Sequence, residues 1–271
     1  MKRVIDDKAA SSLMEPLTAL VVKAGEAILG VNRAAMQIDG KPDGSPVTEA
    51  DLAADHIISD GLARLAPDVP TLSEERAHCA PPSFRDSYFL VDPLDGTKEF
   101  IAGRDEFTVN VAIVTNGVPL LGIVAAPALG LIWRGITGHG AERVQINGAA
   151  IGAAEPIRTR TMPKSGEPWI AAVSRSHGDQ KSEAFITSRA GAVRRTLGSA
   201  VKFGCVAEGT ADIYPRLGPT SEWDIAAGCA VVTAAGGKVT DSQGNEIRFG
   251  ERHEGFIVPE FIAWGDPRAV S

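Results

Sequence analysis

Two stretches in the first quarter of the chain carry apolar residues at intervals of three and four positions. This spacing places apolar side chains on one face of an α-helix, where they can pack against a core. Apolar residues from Leu13 to Ile28 predict that the chain opens with an amphipathic helix ending near Gly30, and a second helix is predicted from Thr48 to Leu65. A polar loop rich in glycine and proline, residues 40–46, separates the two helices.

Short apolar runs in the next part of the chain predict β-strands. They cover residues 87–91, 107–115 and 118–125. The first strand should end at Asp92-Pro93. Asn116-Gly117 joins the other two runs, and this pair favours a type I′ hairpin between antiparallel strands. Asn147-Gly148 predicts a second hairpin of the same kind.

A polar segment from Arg158 to Glu167 is the predicted boundary between two sub-domains, 1–162 and 163–271. Beyond it, strand and helix patterns alternate, which is typical of layered α/β packing. The predicted strands lie at 169–174, near 213 and near 239. The predicted helices begin after Gly178, at Ser199 and at Trp223.

Composition narrows the class of protein. A chain of 271 residues can form one large domain or two closely packed ones, and 44% hydrophobic with 23% charged residues is ordinary for a globular protein. The net charge of −7 argues against a partner such as a nucleic-acid polymer. The three cysteines lack the short paired spacing of a disulfide framework or zinc site. With no signal peptide or transmembrane segment visible, we expect a cytoplasmic protein, with peripheral membrane association left open.

Four groups of acidic residues are candidates for chemistry. They are Glu49 with Asp51, Glu74 with Glu75, Asp92 with Asp95, and Asp224 alone. Each has a structural alternative, since Asp51 follows Thr48 at the spacing of a capping box and Asp224 can offset a helix dipole. Acidic residues are also common on protein surfaces. No group alone identifies a site.

The turn Asp92-Pro93-Leu94-Asp95-Gly96-Thr97 differs from the other groups. A buried strand delivers two carboxylates into it, and buried charge is costly unless a cation neutralises it. The turn holds no His or Cys, and oxygen ligands favour Mg²⁺, Mn²⁺ or Ca²⁺ over Zn²⁺. Gly96 exposes backbone N–H groups, and Thr97 adds a hydroxyl that can hold water or phosphate. These features favour a metal site over a purely structural turn.

Four segments together resemble the inositol monophosphatase superfamily, in that family's order. Residues 92–97 are similar to its signature D-P-[IL]-D-G-T, and residues 223–228 to its signature W-D-x-A-A-G. Residues 46–51 (PVTEAD) resemble its helix start, and residues 72–75 (LSEE) resemble its acidic loop. The resemblance implies an α/β (α+β layered) fold, the αβαβα five-layer sandwich of the inositol monophosphatase and sugar phosphatases. It also implies a Mg²⁺-dependent phosphomonoesterase that Li⁺ and Ca²⁺ inhibit.

The resemblance implies a role for each matching residue. Two or three Mg²⁺ ions, with Mn²⁺ as a substitute, would be held by Glu74, Asp92, Asp95, Asp224 and the carbonyl oxygen of Leu94. Such ions can acidify a water and stabilise both the phosphate oxygens and the leaving group. Asp51 and Thr97 would activate the attacking water, because Thr97 alone is a poor base and needs Asp51 to accept its proton.

Further segments resemble the 3′(2′),5′-bisphosphate nucleotidase subgroup. They are GTKEFI at 96–101, SRSH at 174–177, GSAVKF at 198–203 and YPRLGPT at 214–220. This resemblance implies substrate contacts from Gly96, Thr97, His177, Ser199, Lys202, Arg216 and Asp224. Lys202 and Arg216 suit a phosphate that is not cleaved, since arginine can bind phosphate through two hydrogen bonds. Bland alternatives stay open: His177 can be a surface residue, and Lys202 can lie on a solvated helix face.

The implied reaction is hydrolysis of the 3′-phosphate of adenosine 3′,5′-bisphosphate to AMP and phosphate. Sulfur metabolism, through sulfate assimilation, and nucleotide salvage both use such a reaction. One alternative is inositol monophosphatase or fructose 1,6-bisphosphatase activity. Another is a catalytically idle regulatory binding protein of the same fold, which has no chemical need for the complete acidic set. The expected partner is a small phosphorylated substrate, and the sequence leaves a monomer and a homodimer open.

Overall fold

The computed structural model describes residues 4–41, 44–79, 84, 86–176, 178–189, 191–250 and 255–270. The helices are α1 (Asp7–Gly30), α2 (Glu49–Leu65), α3 (Thr97–Ile101), α4 (Gln180–Thr187), α5 (Val201–Ala207) and α6 (Glu222–Ala234). The strands of the first half are β1 (Ile38–Gly40), β2 (Pro46–Thr48), β3 (Thr71–Ser73), β4 (Ser87–Asp95), β5 (Thr108–Thr115), β6 (Val118–Ala126), β7 (Leu131–Ile136), β8 (Gly140–Asn147) and β9 (Ala150–Ile157). Those of the second half are β10 (Ile170–Ser174), β11 (Val193–Leu197), β12 (Ile213–Arg216), β13 (Thr220–Ser221), β14 (Lys238–Thr240), β15 (Ile257–Val258) and β16 (Phe261–Trp264). Both helices predicted in the first quarter of the chain are confirmed.

A seven-stranded sheet in the order β3-β4-β5-β6-β7-β8-β9 forms the first half of the molecule. Its strands pair antiparallel, except for the parallel pair β3–β4. The predicted hairpin at Asn116-Gly117 is confirmed: φ is 53° at Asn116 and 76° at Gly117, as a type I′ turn requires. The hairpin at Asn147-Gly148 also forms, but its two-residue loop is Gly148–Ala149, because Asn147 still pairs with Ala150.

A five-stranded sheet in the order β11-β10-β12-β16-β14 forms the second half. β10 pairs parallel with both β11 and β12, whereas β16 pairs antiparallel with β12 and β14. The change from one sheet to the other takes place over residues 158–169, which contain no helix or strand. The division into 1–162 and 163–271 stays a prediction.

Three apolar clusters show how the elements stack. α1 and α2 cover one face of the large sheet, with Leu17 and Ile58 packed near Phe89. α5 and α6 lie between the two sheets, where Phe203 and Val231 contact residues of both. α4 covers the outer face of the small sheet, with Ile186, Ile213 and Ile262 in one cluster. The predicted αβαβα arrangement of five layers is therefore confirmed.

The central position of α6 explains its sequence, which is apolar on every side. A helix between two sheets buries its whole circumference rather than one stripe. Two glycines allow the close approach: a Cβ at Gly122 would lie 2.1 Å from the carbonyl oxygen of Ala227, and one at Gly228 would lie 2.3 Å from the Phe203 ring. This packing brings the N-terminus of α6 to the end of β4.

Two predicted boundaries were wrong. β4 does not end at Asp92-Pro93 but continues to Asp95, with an irregularity between Asp92 and Asp95. Proline lacks an N–H, and a bulge lets the strand tolerate it. α5 begins at Val201 rather than Ser199, because Ser199 has a φ of 52°, outside the helical region.

No helix in the described part of the chain combines the length and apolar character needed to cross a membrane.

Candidate active site

A cleft of about 730 Å³ opens where the end of β4, the N-terminus of α6 and the segment before α5 meet. Ten of the twelve predicted site residues line it: Glu74, Asp92, Leu94, Asp95, Gly96, Thr97, Ser199, Lys202, Arg216 and Asp224. Asp51 does not line the cleft but accepts a hydrogen bond from the Thr97 hydroxyl. His177 lies outside the described residues.

The acidic wall of the cleft consists of Glu74, Asp92, Asp95 and Asp224. One carboxylate oxygen each from Glu74, Asp92 and Asp224 lies within 4.8 Å of the others. Three separate elements supply them, since Glu74 follows β3, Asp92 lies in β4 and Asp224 lies in the first turn of α6. Oxygens at this spacing can share a cation.

Burial and mutual repulsion raise the pKa of three of these carboxylates, those of Glu74, Asp92 and Asp224. Burial raises the pKa of Glu74 to about 7 and that of Asp224 to about 6. It also raises the pKa of Asp92, and the charges of Glu74 and Asp95 add to the shift. Carboxylates that are costly to ionise without a counter-charge are suited to a cation.

Asp95 is held from one side. The hydroxyl of Ser199 donates to Asp95 Oδ2 at 2.6 Å, and Thr108 Oγ1 lies 3.4 Å from the same oxygen. Among the described residues, none donates a hydrogen bond to Oδ1. The carboxylate therefore has one oxygen fixed by the protein and one free to bind a ligand.

Asp51 performs two structural tasks at once. Its Oδ2 accepts hydrogen bonds from the backbone N–H and the hydroxyl of Thr48 at 2.8 and 2.6 Å, which completes a capping box at the start of α2. Its Oδ1 accepts a hydrogen bond from the Thr97 hydroxyl at 3.0 Å. The capping role foreseen as an alternative and the contact with Thr97 are compatible. Burial raises the pKa of Asp51, so it can accept a proton more readily than an exposed aspartate.

A basic wall of the same cleft consists of Lys202 and Arg216, both from the second half of the chain. Lys202 is only 2% exposed, and its ammonium donates to the carbonyl oxygen of Ser199 at 2.5 Å. The ammonium also lies 5.1 Å from the centre of the Tyr214 ring. Burial lowers the pKa of Lys202 to about 8, and the charge of Arg216 adds to this shift. Arg216 donates to the carbonyl oxygen of Pro219 at 3.0 Å. Two cations that repel each other in one cleft favour an anion.

Sequence reasoning missed Lys41. Its ammonium lies 2.5 Å from Glu74 Oε1 and 2.7 Å from Glu75 Oε1, inside the cleft. These two carboxylates raise the pKa of Lys41 even though burial acts in the opposite direction. A lysine in a polar loop gives no sequence signal for this position, since the contact joins residues more than 30 positions apart.

Sequence reasoning also missed Asn110, which pairs with Asp92 across the strands β4 and β5. Asn110 is 1% exposed, and neither atom of its amide group has a hydrogen-bond partner among the described residues. Side chains of directly opposed residues lie on the same face of a sheet, about 5 Å apart at Cβ. An amide with unused donor and acceptor capacity thus lies beside the acidic wall.

Glu99, which lines the cleft, and Glu106 were not predicted, and both contact the segment that follows β10. Ser176 donates to Glu99, and Arg175 donates to Glu106 Oε2 at 2.5 Å. The motif GTKEF contains Glu99 but gives no signal for its partner, which lies 77 positions away. Each of these two hydrogen bonds therefore joins a glutamate of the first half of the chain to a residue of the second half.

Comparisons with known proteins show which family has a similar sequence and fold. A profile described as the inositol monophosphatase family matches residues 10–265. A 3′(2′),5′-bisphosphate nucleotidase CysQ of Salmonella typhimurium is 41% identical over 92% of this chain and 98% of its own length. The protein of the same name from Escherichia coli K12 is 40% identical with the same coverage.

Among solved structures, the chain resembles CysQ from Bacteroides thetaiotaomicron, described as a bacterial member of the inositol monophosphatase family. The TM-score is 0.73 at 31% sequence identity, and the match covers 94% of this chain and 97% of the other. The fold and the sequence therefore both match the inositol monophosphatase family over nearly the whole chain.

Proposed function

The chain belongs to the inositol monophosphatase family, and from the two walls of its cleft we propose that it is a Mg²⁺-dependent 3′(2′),5′-bisphosphate nucleotidase. The proposed reaction is hydrolysis of the 3′-phosphate of adenosine 3′,5′-bisphosphate to AMP and phosphate. The observation that carries this proposal is the pairing, in one cleft, of an acidic wall with a basic wall that contains the buried Lys202.

The residues of the acidic wall fit a hard divalent cation. Every candidate ligand atom is an oxygen, from Glu74, Asp92, Asp95, Asp224 and the carbonyl of Leu94, and oxygen ligands favour Mg²⁺ or Mn²⁺. The amide of Asn110, which has no hydrogen-bond partner among the described residues, could bind water or a carboxylate there. A bound divalent cation would supply Lewis-acid stabilisation of the phosphate and leaving oxygens and would lower the pKa of a bound water.

Thr97 and Asp51 are placed to remove the proton of the attacking water. The Thr97 hydroxyl donates to Asp51 Oδ1 at 3.0 Å, so its oxygen keeps lone pairs that can accept a hydrogen bond from water at the cleft. When that water loses its proton to Thr97 Oγ1, the hydroxyl proton of Thr97 moves to Asp51 Oδ1. The raised pKa of Asp51 favours this transfer.

Lys202 and Arg216 are the proposed partners of the phosphate that is not cleaved. A bisphosphate carries a second anionic group, which needs positive partners where water is excluded. Burial lowers the pKa of Lys202, which means that its charged form is destabilised in the protein. A bound anion would stabilise that charged form. An inositol monophosphate would leave this wall without a counter-charge. The names of the relatives support the same substrate class.

A substrate panel tests the proposal. Phosphate release should be fastest with adenosine 3′,5′-bisphosphate, slower with inositol 1-phosphate and fructose 1,6-bisphosphate, and absent from all three when EDTA replaces Mg²⁺. Preference for inositol 1-phosphate would assign the chain to the monophosphatases. No Mg²⁺-dependent release from any of the three would favour the idle binding protein.

A further inference from the structure

Ser199 adopts a backbone conformation that is unusual for its residue type. Its φ is 52°, in the left-handed region, where the Cβ of a side chain crowds the backbone. Glycine avoids this crowding, and Gly198 immediately precedes Ser199. Such strain persists only where the surroundings enforce it, and it concentrates at functional sites.

The surroundings of Ser199 enforce its conformation from the side of the large sheet. The backbone N–H of Gly198 donates to Glu106 Oε2 at 3.0 Å, and a Cβ at Gly198 would lie 2.5 Å from the carbonyl oxygen of Glu106. On the other flank, a Cβ at Gly96 would lie 3.3 Å from the Ser199 Cβ. The segment that carries Ser199 is thus pressed against the turn that carries Asp95.

The result of this strain is the placement of one hydroxyl. Ser199 Oγ lies 2.6 Å from Asp95 Oδ2, 3.1 Å from the carbonyl oxygen of Asp95 and 2.5 Å from Thr108 Oγ1. A serine hydroxyl has one proton and two lone pairs. The Ser199 hydroxyl donates its proton to Asp95, and one of its lone pairs can accept a hydrogen bond from Thr108. One lone pair is then left for a hydrogen bond from a substrate.

We propose that Ser199 is a positioning residue for Asp95. Its strained backbone aims the hydroxyl at Oδ2 and leaves Oδ1 available as a ligand for the cation of the acidic wall. Ser199 lies just before α5 in the second half of the chain, whereas Asp95 ends a strand of the large sheet, so the same hydrogen bond links the two halves of the chain. This inference rests on the proposed metal-dependent function, and it differs from the substrate contact that the family resemblance implies for Ser199.

Two variants of the full chain separate the hydroxyl from the strain. Ser199→Ala removes the hydroxyl and keeps the strained Cβ, whereas Ser199→Gly removes the hydroxyl and relieves the strain. Ser11→Ala is the matched control, since Ser11 donates to the carbonyl oxygen of Asp7 on α1, away from the cleft. The measurements are Mg²⁺ affinity by calorimetry, the Tm of the metal-free protein, and kcat and KM for adenosine 3′,5′-bisphosphate at saturating Mg²⁺.

Both Ser199 variants should bind Mg²⁺ about 10- to 100-fold more weakly than the wild type, the usual effect of losing a group that orients a metal ligand. KM at saturating Mg²⁺ should stay close to the wild-type value. The metal-free Ser199→Gly protein should melt above Ser199→Ala, because only the glycine relieves the strain. Ser11→Ala should change neither the Mg²⁺ affinity nor KM.

Normal Mg²⁺ affinity in both variants, beside a wild type that binds Mg²⁺, would overturn the positioning role and leave the proposed function intact. A raised KM with normal Mg²⁺ affinity would assign Ser199 to the substrate. A wild type that binds no Mg²⁺ would instead overturn the proposed function and this inference together. If Ser199→Ala does not fold, Ser199→Gly decides the question alone.

Discussion

The two walls of the cleft carry opposite charges, but in both of them burial destabilises charged side chains. On the acidic wall, burial raises the pKa of Glu74 to about 7 and that of Asp224 to about 6. On the basic wall, burial lowers the pKa of Lys202 to about 8. Glu74, Asp224 and Lys202 are therefore each pushed toward the neutral form, as happens when buried charges lack enough partners of opposite sign.

The difference between the walls shows what would satisfy both. A cation alone complements the acidic wall and leaves the basic one unchanged, whereas an anion alone does the reverse. A phosphorylated ligand together with divalent cations complements both at once. The walls should therefore respond differently to substitution: the acidic wall should control turnover, and the basic wall should control the choice of substrate.

The largest effect is expected on the acidic wall. Asp95→Asn keeps the shape of the side chain and removes the charge that would hold the cation, a contribution worth several kcal/mol to the transition state. We expect kcat to fall more than about 1000-fold for every substrate. The far-ultraviolet circular dichroism spectrum should not change.

Glu49→Gln is the control for this substitution, since Glu49 is an exposed acid at the start of α2. It should retain normal turnover. An Asp95→Asn protein with near-normal kcat at saturating Mg²⁺ would remove Asp95 from the acidic wall's function.

A smaller and selective effect is expected on the basic wall. Arg216→Ala should lower kcat/KM for adenosine 3′,5′-bisphosphate by about 10- to 150-fold more than for adenosine 3′-monophosphate, which lacks the second phosphate, since a charge-assisted hydrogen bond is worth about 1.5–3 kcal/mol. Steady-state kinetics with both substrates measures this ratio. Arg194→Ala, on the exposed strand β11, is the control. An equal loss of kcat/KM for both substrates would mean that Arg216 is structural and that the basic wall does not determine the choice of substrate.

Local sequence signals predicted much of the fold. The Asn116-Gly117 pair identified a hairpin correctly because its turn chemistry is contained in two residues. β7 escaped sequence analysis, since it contains Arg134 and Gly135 within an apolar run. Arg134 is tolerated there because Glu15 and Glu142 pair with it, and Glu15 is 119 positions away in the chain. Pairing over that distance leaves no local pattern.

The same contrast holds within the candidate site. The turn at Asp92–Thr97 was recognisable because its two carboxylates and its glycine lie within six residues. Lys41 and Asn110 were not, because each acquires its position only through the pairing of distant strands and loops. The end of β4 was misplaced for a related reason: proline usually ends a strand, and the bulge that accommodates Pro93 depends on its partner β5.

On the basic wall, Lys202→Met tests the cost of the buried ammonium. Because the folded-state pKa of Lys202 is about 8, below the value of 10.5 for a free lysine, the unfolded chain binds more protons between these pH values. The contribution of Lys202 to stability is therefore unfavourable below pH 8 and improves as pH rises toward 10.5. Metal-free Lys202→Met should be about 2 kcal/mol more stable than the wild type at pH 7, with a smaller advantage at pH 10. Urea unfolding at the two pH values measures this, and equal stability at pH 7 would mean that the ammonium is already satisfied by its protein partners.

The smallest effect is expected from Glu74→Gln, which tests the same condition on the acidic wall with the opposite dependence on pH. The folded-state pKa of Glu74 is about 7, above the value of 4.5 for a free glutamate, so the folded protein binds more protons between these values. The contribution of Glu74 to stability is therefore neutral near pH 4 and becomes unfavourable as pH rises through 7. In EDTA, Glu74→Gln should be more stable than the wild type at pH 8 and equal to it at pH 4. The gain should be less than about 1 kcal/mol, because the substitution also removes one of the two carboxylates that bind Lys41. Glu75 remains to pair with Lys41, so the lysine is not left alone. Urea unfolding at pH 4 and pH 8 gives the comparison. A variant less stable than the wild type at pH 8 would show that the contact with Lys41 outweighs the burial of Glu74, and the acidic wall would then already be compensated by the protein's own cation.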